Sequence, residues 1–309
     1  MTQNRRNFLK RAAVLTGSAL FAHPDTILPR AVAQSSAKQV EVFINQYTVS
    51  TFYAREGINL IENLDRCFAE LKAAGLAGFE ASVDRPSDIN APIDALKKQN
   101  LILRSIYTGG NFHDQAVAEA ELKRVIALAE RAKPAGTKII VLNPQPKSGK
   151  SDEELNRQSQ NLDILGAELR KLGVKLALHY HTAELEFAAR EFHSFMCDTT
   201  PENVSLCYDA HWSFRASNNS AVSAYNHAKL YADRIAAFHL RQSQNGVWTE
   251  TFMTKADLDY DKILSILRQS KNFDDCQIVL EQAPENGTPK TRKPFDIFKQ
   301  SVETIQQLY

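Results

Sequence analysis

The chain has 309 residues, with 37 Lys and Arg against 36 Asp and Glu, so its formal net charge is +1. This balance lacks the basic excess expected of a general nucleic-acid-binding protein and excludes that class. With 43% hydrophobic and 24% charged residues, the composition is that of a globular protein rather than a disordered one. Four cysteines are too few for a disulfide scaffold in a chain this long, and we expect free thiols, with a single disulfide formed after export as the alternative.

The first 33 residues have the pattern of an export signal. Residues 5–10 read Arg-Arg-Asn-Phe-Leu-Lys, an apolar run covers residues 12–22, and Ala-Val-Ala at 31–33 supplies a cleavage site. The first string resembles a twin-arginine signal, which predicts the twin-arginine export machinery as a partner and a periplasmic or secreted mature protein, residues 34–309. A basic amphipathic helix is the alternative. The apolar run is shorter than the ~20 residues that cross a bilayer, so no stable membrane insertion is expected.

From residue 40 onward, apolar β-rich runs alternate with helical patterns eight times. The predicted strands are Val40–Tyr47, Gly78–Val83, Leu101–Tyr107, Lys138–Asn143, Lys175–His181, Val204–Asp209, Ile235–Arg241 and Gln277–Glu281. The predicted helices that follow them are Leu60–Ala74, Ile93–Gln99, Ala116–Lys133, Glu153–Leu172, Ala188–Asp198, Ala221–Ala232, Tyr260–Gln269 and Phe295–Leu308.

This alternation predicts a parallel sheet whose strands are covered on both faces. Eight units in roughly 270 residues match a single (β/α)8 TIM barrel, which we expect to span residues 34–309. A doubly wound sheet is the alternative fold. It would favour a glycine-rich turn after the first strand. The segment Val49–Glu56 contains no glycine, which counts against this alternative.

Polar residues collect at the ends of the predicted strands, where a barrel of this kind has its active site. Residues i and i+2 of a strand share a face, so residues of three pairs are expected to point together toward the barrel mouth. The pairs are His179 with His181, Asp209 with His211, and His239 with Arg241. A single histidine at a strand end is more often structural, and the combination is what predicts a site. The strand-end residues are Glu80, Asn143, His179, His181, Glu184, Asp209, His211, His239, Arg241 and Glu281.

Imidazole and carboxylate side chains together suit one divalent metal ion. We expect Mn, Co, Zn, Fe or Mg, and the number of histidines favours a transition metal over an ion that prefers oxygen ligands only. The aromatic residues Trp212, Phe214 and Trp248 follow the sixth and seventh predicted strands. They could stack on the face of a sugar or simply pack in the core.

Four short motifs carry a family resemblance, at residues 71–80, 179–184, 208–212 and 279–282. Their order and placement resemble those of the sugar phosphate isomerase/epimerase family of xylose isomerase-like TIM barrels, from Val40 to the C-terminus. The resemblance implies that one divalent metal is held by His179, Asp209, His239 and Glu281. Well-known epimerases of this family have glutamate where this chain has His179, and that glutamate is one of their two acid/base groups.

The resemblance therefore implies a metal-dependent sugar isomerase or epimerase that abstracts a proton next to a sugar carbonyl or hydroxyl. Glu281 is one expected proton-transfer group, and His179, His181 or Glu184 is the other. Elimination by a keto-sugar dehydratase or keto-glycoside lyase is the alternative reaction, and a non-catalytic periplasmic sugar-binding protein is the alternative class. The sequence leaves a homo-oligomer open. The residues expected to contact the substrate are Glu80, His211, Trp212 and Arg241.

Overall fold

A computed structural model describes residues 39–309. The predicted export signal, residues 1–33, lies outside the described residues. Within residues 39–309, no helix combines the length and apolar character needed to cross a membrane. All four cysteines lie in this part of the chain, and each is a free thiol as expected.

Eight parallel strands close into a barrel, which confirms the predicted (β/α)8 fold. Each strand pairs with the next along the chain, and the last strand pairs with the first, with Val42 opposite Ile278. The strands are β1 (Val42–Asn45), β2 (Gly78–Ser82), β3 (Ile102–Gly110), β4 (Ile139–Pro144), β5 (Lys175–Leu178), β6 (Val204–Asp209), β7 (Ile235–Leu240) and β8 (Gln277–Leu280).

Helices follow every strand and cover the outside of the barrel. They are Gln46–Ala54, Leu64–Ala73, Asn90–Lys98, Gln115–Ala132, Asp152–Lys171, Glu186–Cys197, Ala210–Ala216, Ala221–Tyr231, Tyr260–Leu267 and Pro294–Leu308. Local sequence explains several helix starts. Ser151 and Glu154 form a reciprocal capping box before Asp152–Lys171, and the Asp259 side chain accepts a hydrogen bond from the backbone N–H of Lys262.

Two strands end at least two residues before their predicted ends, and both early ends affect the site. The predicted first strand reaches Tyr47, whereas β1 ends at Asn45, whose side chain accepts from the Tyr47 N–H and caps a helix. β5 ends at Leu178, so the two histidines that follow it leave the regular strand. β6 ends at Asp209 as predicted, and the Asp209 side chain caps the next helix in the same way.

A short hairpin follows β7 and was not predicted. Ser243–Gln244 pairs antiparallel with Val247–Trp248, and the two turn residues, Asn245 and Gly246, have φ angles of 54° and 79°. Positive φ at both positions is the conformation of a tight hairpin turn, which Asn-Gly favours because asparagine and glycine tolerate it. The hairpin brings Trp248 to the mouth of the barrel.

Candidate active site

Four side chains from consecutive strand ends meet at the mouth of the barrel. His179 follows β5, Asp209 ends β6, His239 lies in β7 and Glu281 follows β8. Each offers one potential ligand atom, and these atoms all lie within 4.8 Å of one another. All four residues are buried. The structure therefore brings together the set that the family resemblance implies as a metal site.

The hydrogen bonding of two of these residues tests whether a metal fits. His179 Nε2 and Asp209 Oδ2 lie 3.8 Å apart, and neither has a hydrogen-bond partner among residues 39–309. The opposite atoms are engaged: Asp209 Oδ1 accepts from the backbone N–H groups of His211 and Trp212. Leaving such buried atoms unpaired costs about 1–3 kcal/mol each, and a cation between them would satisfy both. The donor set fits a metal.

The charges around the cluster point the same way. Burial alone would raise the pKa of Glu281, but Arg241 and His239 hold it well below its ordinary value. Burial would also raise the pKa of Asp209, and the contacts with His179 and Arg241 lower it. Together with Glu80, three buried carboxylates face the permanent positive charge of Arg241. Burial would lower the pKa of His239, but Cys207, Glu80 and Glu281 raise it well above its ordinary value, so a proton on His239 offsets part of the excess negative charge. A divalent cation in place of this proton would balance the whole excess, as buried charges require.

His239 lies between two carboxylates. Its Nδ1 is 2.9 Å from Glu281 Oε2, and its Nε2 is 3.1 Å from Glu80 Oε1, although that contact lacks the alignment of a hydrogen bond. Asn45 and Ser105 donate to the Glu80 carboxylate at 2.6 and 2.7 Å. Glu80 was predicted to contact the substrate, but it lies behind His239 with no exposed surface. A carboxylate in this place orients a metal-ligating imidazole.

A cavity of about 710 Å³ opens beside the cluster, within the usual range for small-molecule sites. Two sets of residues line it, one after β1 to β3 and one after β5 to β8. The lining residues are Asn45, Gln46, Tyr47, Ser50, Ser82, Val83, Asp84, Tyr107, Thr108, Gly109, His181, Trp212, Arg241, Trp248 and Glu281.

His181 lies in the cavity beside the cluster, with its ring centroid 4.8 Å from those of His179 and Trp212. Burial, followed by the nearby charge of His179, lowers the pKa of His181 to about 3. The imidazole is therefore neutral near pH 7, which is the form that can accept a proton.

Besides Glu80 and the cluster residues other than Glu281, two more predicted site residues lie outside the cavity lining. Glu184 accepts a hydrogen bond from the His181 backbone N–H at 2.7 Å, and burial raises its pKa. His211 was expected to share a strand face with Asp209, which is wrong because the helix Ala210–Ala216 begins between them. The His211 ring instead contacts Ser243 Oγ at 2.8 Å. Glu184 thus supports His181, which lines the cavity, and His211 supports the hairpin through Ser243.

Arg241 is held in place on two sides. Its Nη2 lies 3.0 Å from Glu281 Oε2, and its guanidinium carbon is 4.2 Å from the ring centroid of Trp248. Arg215 also contacts that ring, at 4.6 Å, and pairs with Glu285. Both glutamates are thereby tied to arginines that stack on one indole ring, a favourable geometry for cations. Trp248 therefore packs against charge and lines the cavity at once.

Sequence reasoning missed several cavity residues. The Tyr107 hydroxyl is 3.5 Å from His179 Nδ1, and Tyr107 was assigned only as the end of a predicted strand. Asn45 ends β1 and Asp84 follows β2, and neither was among the predicted site residues. The dipeptide Asn245-Gly246 was a usable signal for the hairpin that carries Trp248.

Comparisons with known proteins agree with this architecture. Residues 68–308 match the protein family described as "Xylose isomerase-like TIM barrel". An inosose dehydratase of Clostridium perfringens is 25% identical over 259 residues, which cover 73% of this chain and 84% of the relative.

Among solved structures, a sugar phosphate isomerase/epimerase from Parabacteroides distasonis superposes with a TM-score of 0.67 and 14% identity, covering 90% of this chain and 98% of the other. A 3-keto-D-glucoside 4-epimerase from E. coli has a TM-score of 0.60 and 16% identity, with coverage of 87% and 99%. Both identities are low, so these two structures show the shared fold. Because the family match spans most of the sequence, the chain belongs to the xylose isomerase-like TIM barrel family.

Proposed function

We propose that this protein is a metal-dependent enzyme that removes a proton from the carbon next to the carbonyl of a keto-sugar or keto-cyclitol. Return of the proton would make it an isomerase or epimerase. The observation that carries the proposal is the buried cluster of four potential ligands that opens onto a cavity of about 710 Å³. The inosose dehydratase relative supports a cyclic polyol ketone as the substrate class.

The chain supplies the residues for each part of this chemistry. A divalent ion held by the four-residue cluster would polarise the carbonyl and stabilise negative charge on its oxygen. His181 and Glu281 reach the cavity from β5 and β8, with β6 and β7 between them in the barrel. One can take the carbon-bound proton while the other returns it. Arg241 also lines the cavity, and its guanidinium suits a substrate oxygen.

Elimination is the second candidate, and one observation favours it. At the end of β5 the cluster has the imidazole of His179 in place of the glutamate of well-known epimerases, so Glu281 lacks the partner glutamate that suits symmetric proton exchange. In elimination, a base takes the proton next to the carbonyl and the electron pair forms a carbon–carbon double bond. The hydroxyl or alkoxyl group on the next carbon then leaves with a proton. The dehydratase relative supports this outcome.

Incubation in heavy water separates these possibilities. We expect the manganese-loaded protein to exchange a carbon-bound proton of inosose or of a monoketo glucoside, as seen by NMR. A new epimer indicates isomerase chemistry, and an enone absorbance indicates elimination. His181→Gln should retain the metal and lose most of the exchange. Absence of both exchange and elimination with every ketone would contradict the proposal, and tight sugar binding without either would favour a binding protein.

We also propose that the enzyme acts outside the cytoplasm. The supporting observation is the twin-arginine-like string at residues 5–10, followed by an apolar run and an Ala-Val-Ala site. The twin-arginine route exports folded proteins, so a metal could be bound before export. Free cysteines are compatible with that route, because folding would not depend on disulfides formed after export.

A further inference from the structure

We infer that the cavity binds a substrate of two linked rings, namely a keto-sugar joined through a glycosidic bond to a second, uncharged sugar. This inference rests on the proposed function and names its substrate class. Volume is the first observation. A molecule in liquid water occupies ~30 Å³, and we use this volume as a generous allowance for each heavy atom of a sugar. A hexose has twelve heavy atoms and therefore needs roughly 360 Å³. The cavity has about 710 Å³, which leaves room for a second hexose.

The cavity has two chemically different sides. The metal-ligand cluster, His181 and Arg241 come from the strand ends of β5 to β8. The other side is built from β1 to β3, which are consecutive neighbours in the barrel and contribute none of the four potential ligands. A keto-sugar bound at the cluster would therefore leave the β1–β3 side to the second ring.

The side chains on the β1–β3 side suit a neutral sugar. Tyr47 is 46% exposed at the start of the helix Gln46–Ala54, and its ring offers an apolar face for the C–H groups of a sugar. Asp84 provides carboxylate oxygens that can accept hydrogen bonds from neighbouring hydroxyl groups. Its negative charge disfavours a phosphate or a carboxylate on the second ring.

This side is also held in place before any ligand binds. Thr108 Oγ1 donates to Asp84 Oδ1 at 3.2 Å, and Arg124 Nη1 donates to the Asp84 carbonyl oxygen at 2.8 Å. Gln46 Oε1 accepts from the Ser82 N–H at 3.0 Å, which ties the helix carrying Tyr47 to the end of β2. Preorganised groups of this kind lower the ordering cost of binding.

Tryptophan fluorescence can test the second ring, because Trp212 and Trp248 line the cavity. The manganese-loaded protein is titrated with methyl glucoside and with maltose, cellobiose and trehalose, which carry no ketone and should not react. We expect at least one disaccharide to have a Kd about tenfold below that of methyl glucoside. If no disaccharide binds more tightly than methyl glucoside, the inference is wrong.

Variants assign that preference to the β1–β3 side. We expect Tyr47→Ala and Asp84→Asn each to reduce the tenfold ratio to about twofold, and Tyr47→Phe to retain it. Leu230→Ala is the matched control, since Leu230 is 65% exposed on the helix Ala221–Tyr231 outside the cavity lining. A ratio that neither Tyr47→Ala nor Asp84→Asn changes would also overturn the inference.

Proton exchange with a monoketo methyl glucoside separates this inference from the proposed reaction. Exchange without a disaccharide preference would refute the second sugar site and leave the reaction standing. A disaccharide preference without exchange, in the glucoside or in the monoketo disaccharides, would refute the proposed reaction and support a two-ring binding site.

Discussion

At the scale of single residues, the site depends on which atom of each side chain is already engaged. Asp209 uses Oδ1 to cap a helix, which fixes the carboxylate and leaves Oδ2 facing His179. His179 Nδ1 faces Tyr107 and Asn143, both at 3.5 Å, which leaves Nε2 for the cluster. Strand ends and caps thus orient potential ligand atoms without a metal, as a preorganised site requires.

Glu80 gives the sharpest test of this orientation. We expect Glu80→Gln to weaken manganese binding about 10–100-fold, because the neutral amide no longer provides a carboxylate behind His239. Competition with a fluorescent chelator measures the affinity directly, whatever the activity. Glu119→Gln, an exposed residue on the helix Gln115–Ala132, should bind manganese like the wild type. Equal affinities for all three proteins would show that Glu80 plays no part in orienting His239.

The neutral histidines predict a pH dependence of stability. Burial lowers the pKa of His211 to about 3, and the pKa of His181 is lowered to the same value. An unfolded histidine takes up a proton below about pH 6.5, whereas these two stay neutral in the folded protein. The unfolded state therefore binds more protons between pH 6.5 and 3, and stability decreases as the pH falls.

Urea unfolding of the metal-free protein at several pH values measures this slope. Each histidine contributes up to about 1.4 kcal/mol per pH unit in that window. We expect His211→Gln to make the pH dependence between 6.5 and 4 shallower than in the wild type. Leu230→Ala is the control, because it changes no titratable group at an exposed position on the helix Ala221–Tyr231. If His211→Gln has an undiminished slope, His211 is not buried in its neutral form.

At the scale of elements, the hairpin after β7 decides how the cavity wall is built. Arg215 donates to Glu285 Oε2 at 2.9 Å and to the Gly246 carbonyl oxygen at 3.0 Å. The backbone N–H of Trp248 donates to Glu285 Oε1 at 2.7 Å, and Arg215 stacks on the Trp248 indole ring. The same ion pair therefore holds both the turn and Trp248. The hairpin has only two residues in each strand, and such a short hairpin needs contacts of this kind to be stable.

Removal of Arg215 should therefore loosen this wall. We expect Arg215→Ala to lower the free energy of unfolding by about 1–2 kcal/mol and to speed amide hydrogen exchange in residues 243–248. The Kd for a sugar should increase because Trp248 loses its fixed position. Arg215→Lys keeps the charge without the planar guanidinium and should lie between the two. Unchanged exchange in residues 243–248 of Arg215→Ala would contradict this role.

The element scale also shows where sequence patterns stop being informative. The apolar runs predict all eight barrel strands because strands covered by helices are hydrophobic on both faces. They do not predict that β1 ends at Asn45 or that a helix begins directly after Asp209, since an N-cap begins a helix through side-chain hydrogen bonds that leave hydrophobicity unchanged. The caps at Asn45 and Asp209 therefore place Tyr47 and His211 in the first turn of a helix rather than in a strand.

At the scale of the whole molecule, closure of the barrel makes the site. His179 and Glu281 are 102 positions apart in the chain, yet their potential ligand atoms lie within 4.8 Å of one another. The barrel closes through the pairing of β1 with β8, which places Asn45 and Glu80 beside the strand ends that carry His239 and Glu281.

Export is a property of the full chain and has its own test. We expect the complete protein fused to a fluorescent reporter to reach the periplasm of a bacterium with twin-arginine machinery, with loss of residues 1–33. Replacing both Arg5 and Arg6 with Lys should leave the fusion in the cytoplasm, because the signal depends on the arginine pair. Efficient export of the double variant, or cytoplasmic retention of the unchanged fusion, would contradict the proposal.

The sequence by itself determined the barrel, the metal-ligand candidates and the family. The hydrophobic pattern predicts eight parallel strands whose C-terminal ends meet at one face, and the family resemblance implies His179, Asp209, His239 and Glu281 as the ligands there. Only the tertiary structure decided which residues surround the metal-ligand candidates and how far the cavity extends. Glu80 lies behind His239 and the cavity extends over β1 to β3, because contacts between distant strands arise from barrel closure and side-chain packing, which no local pattern encodes.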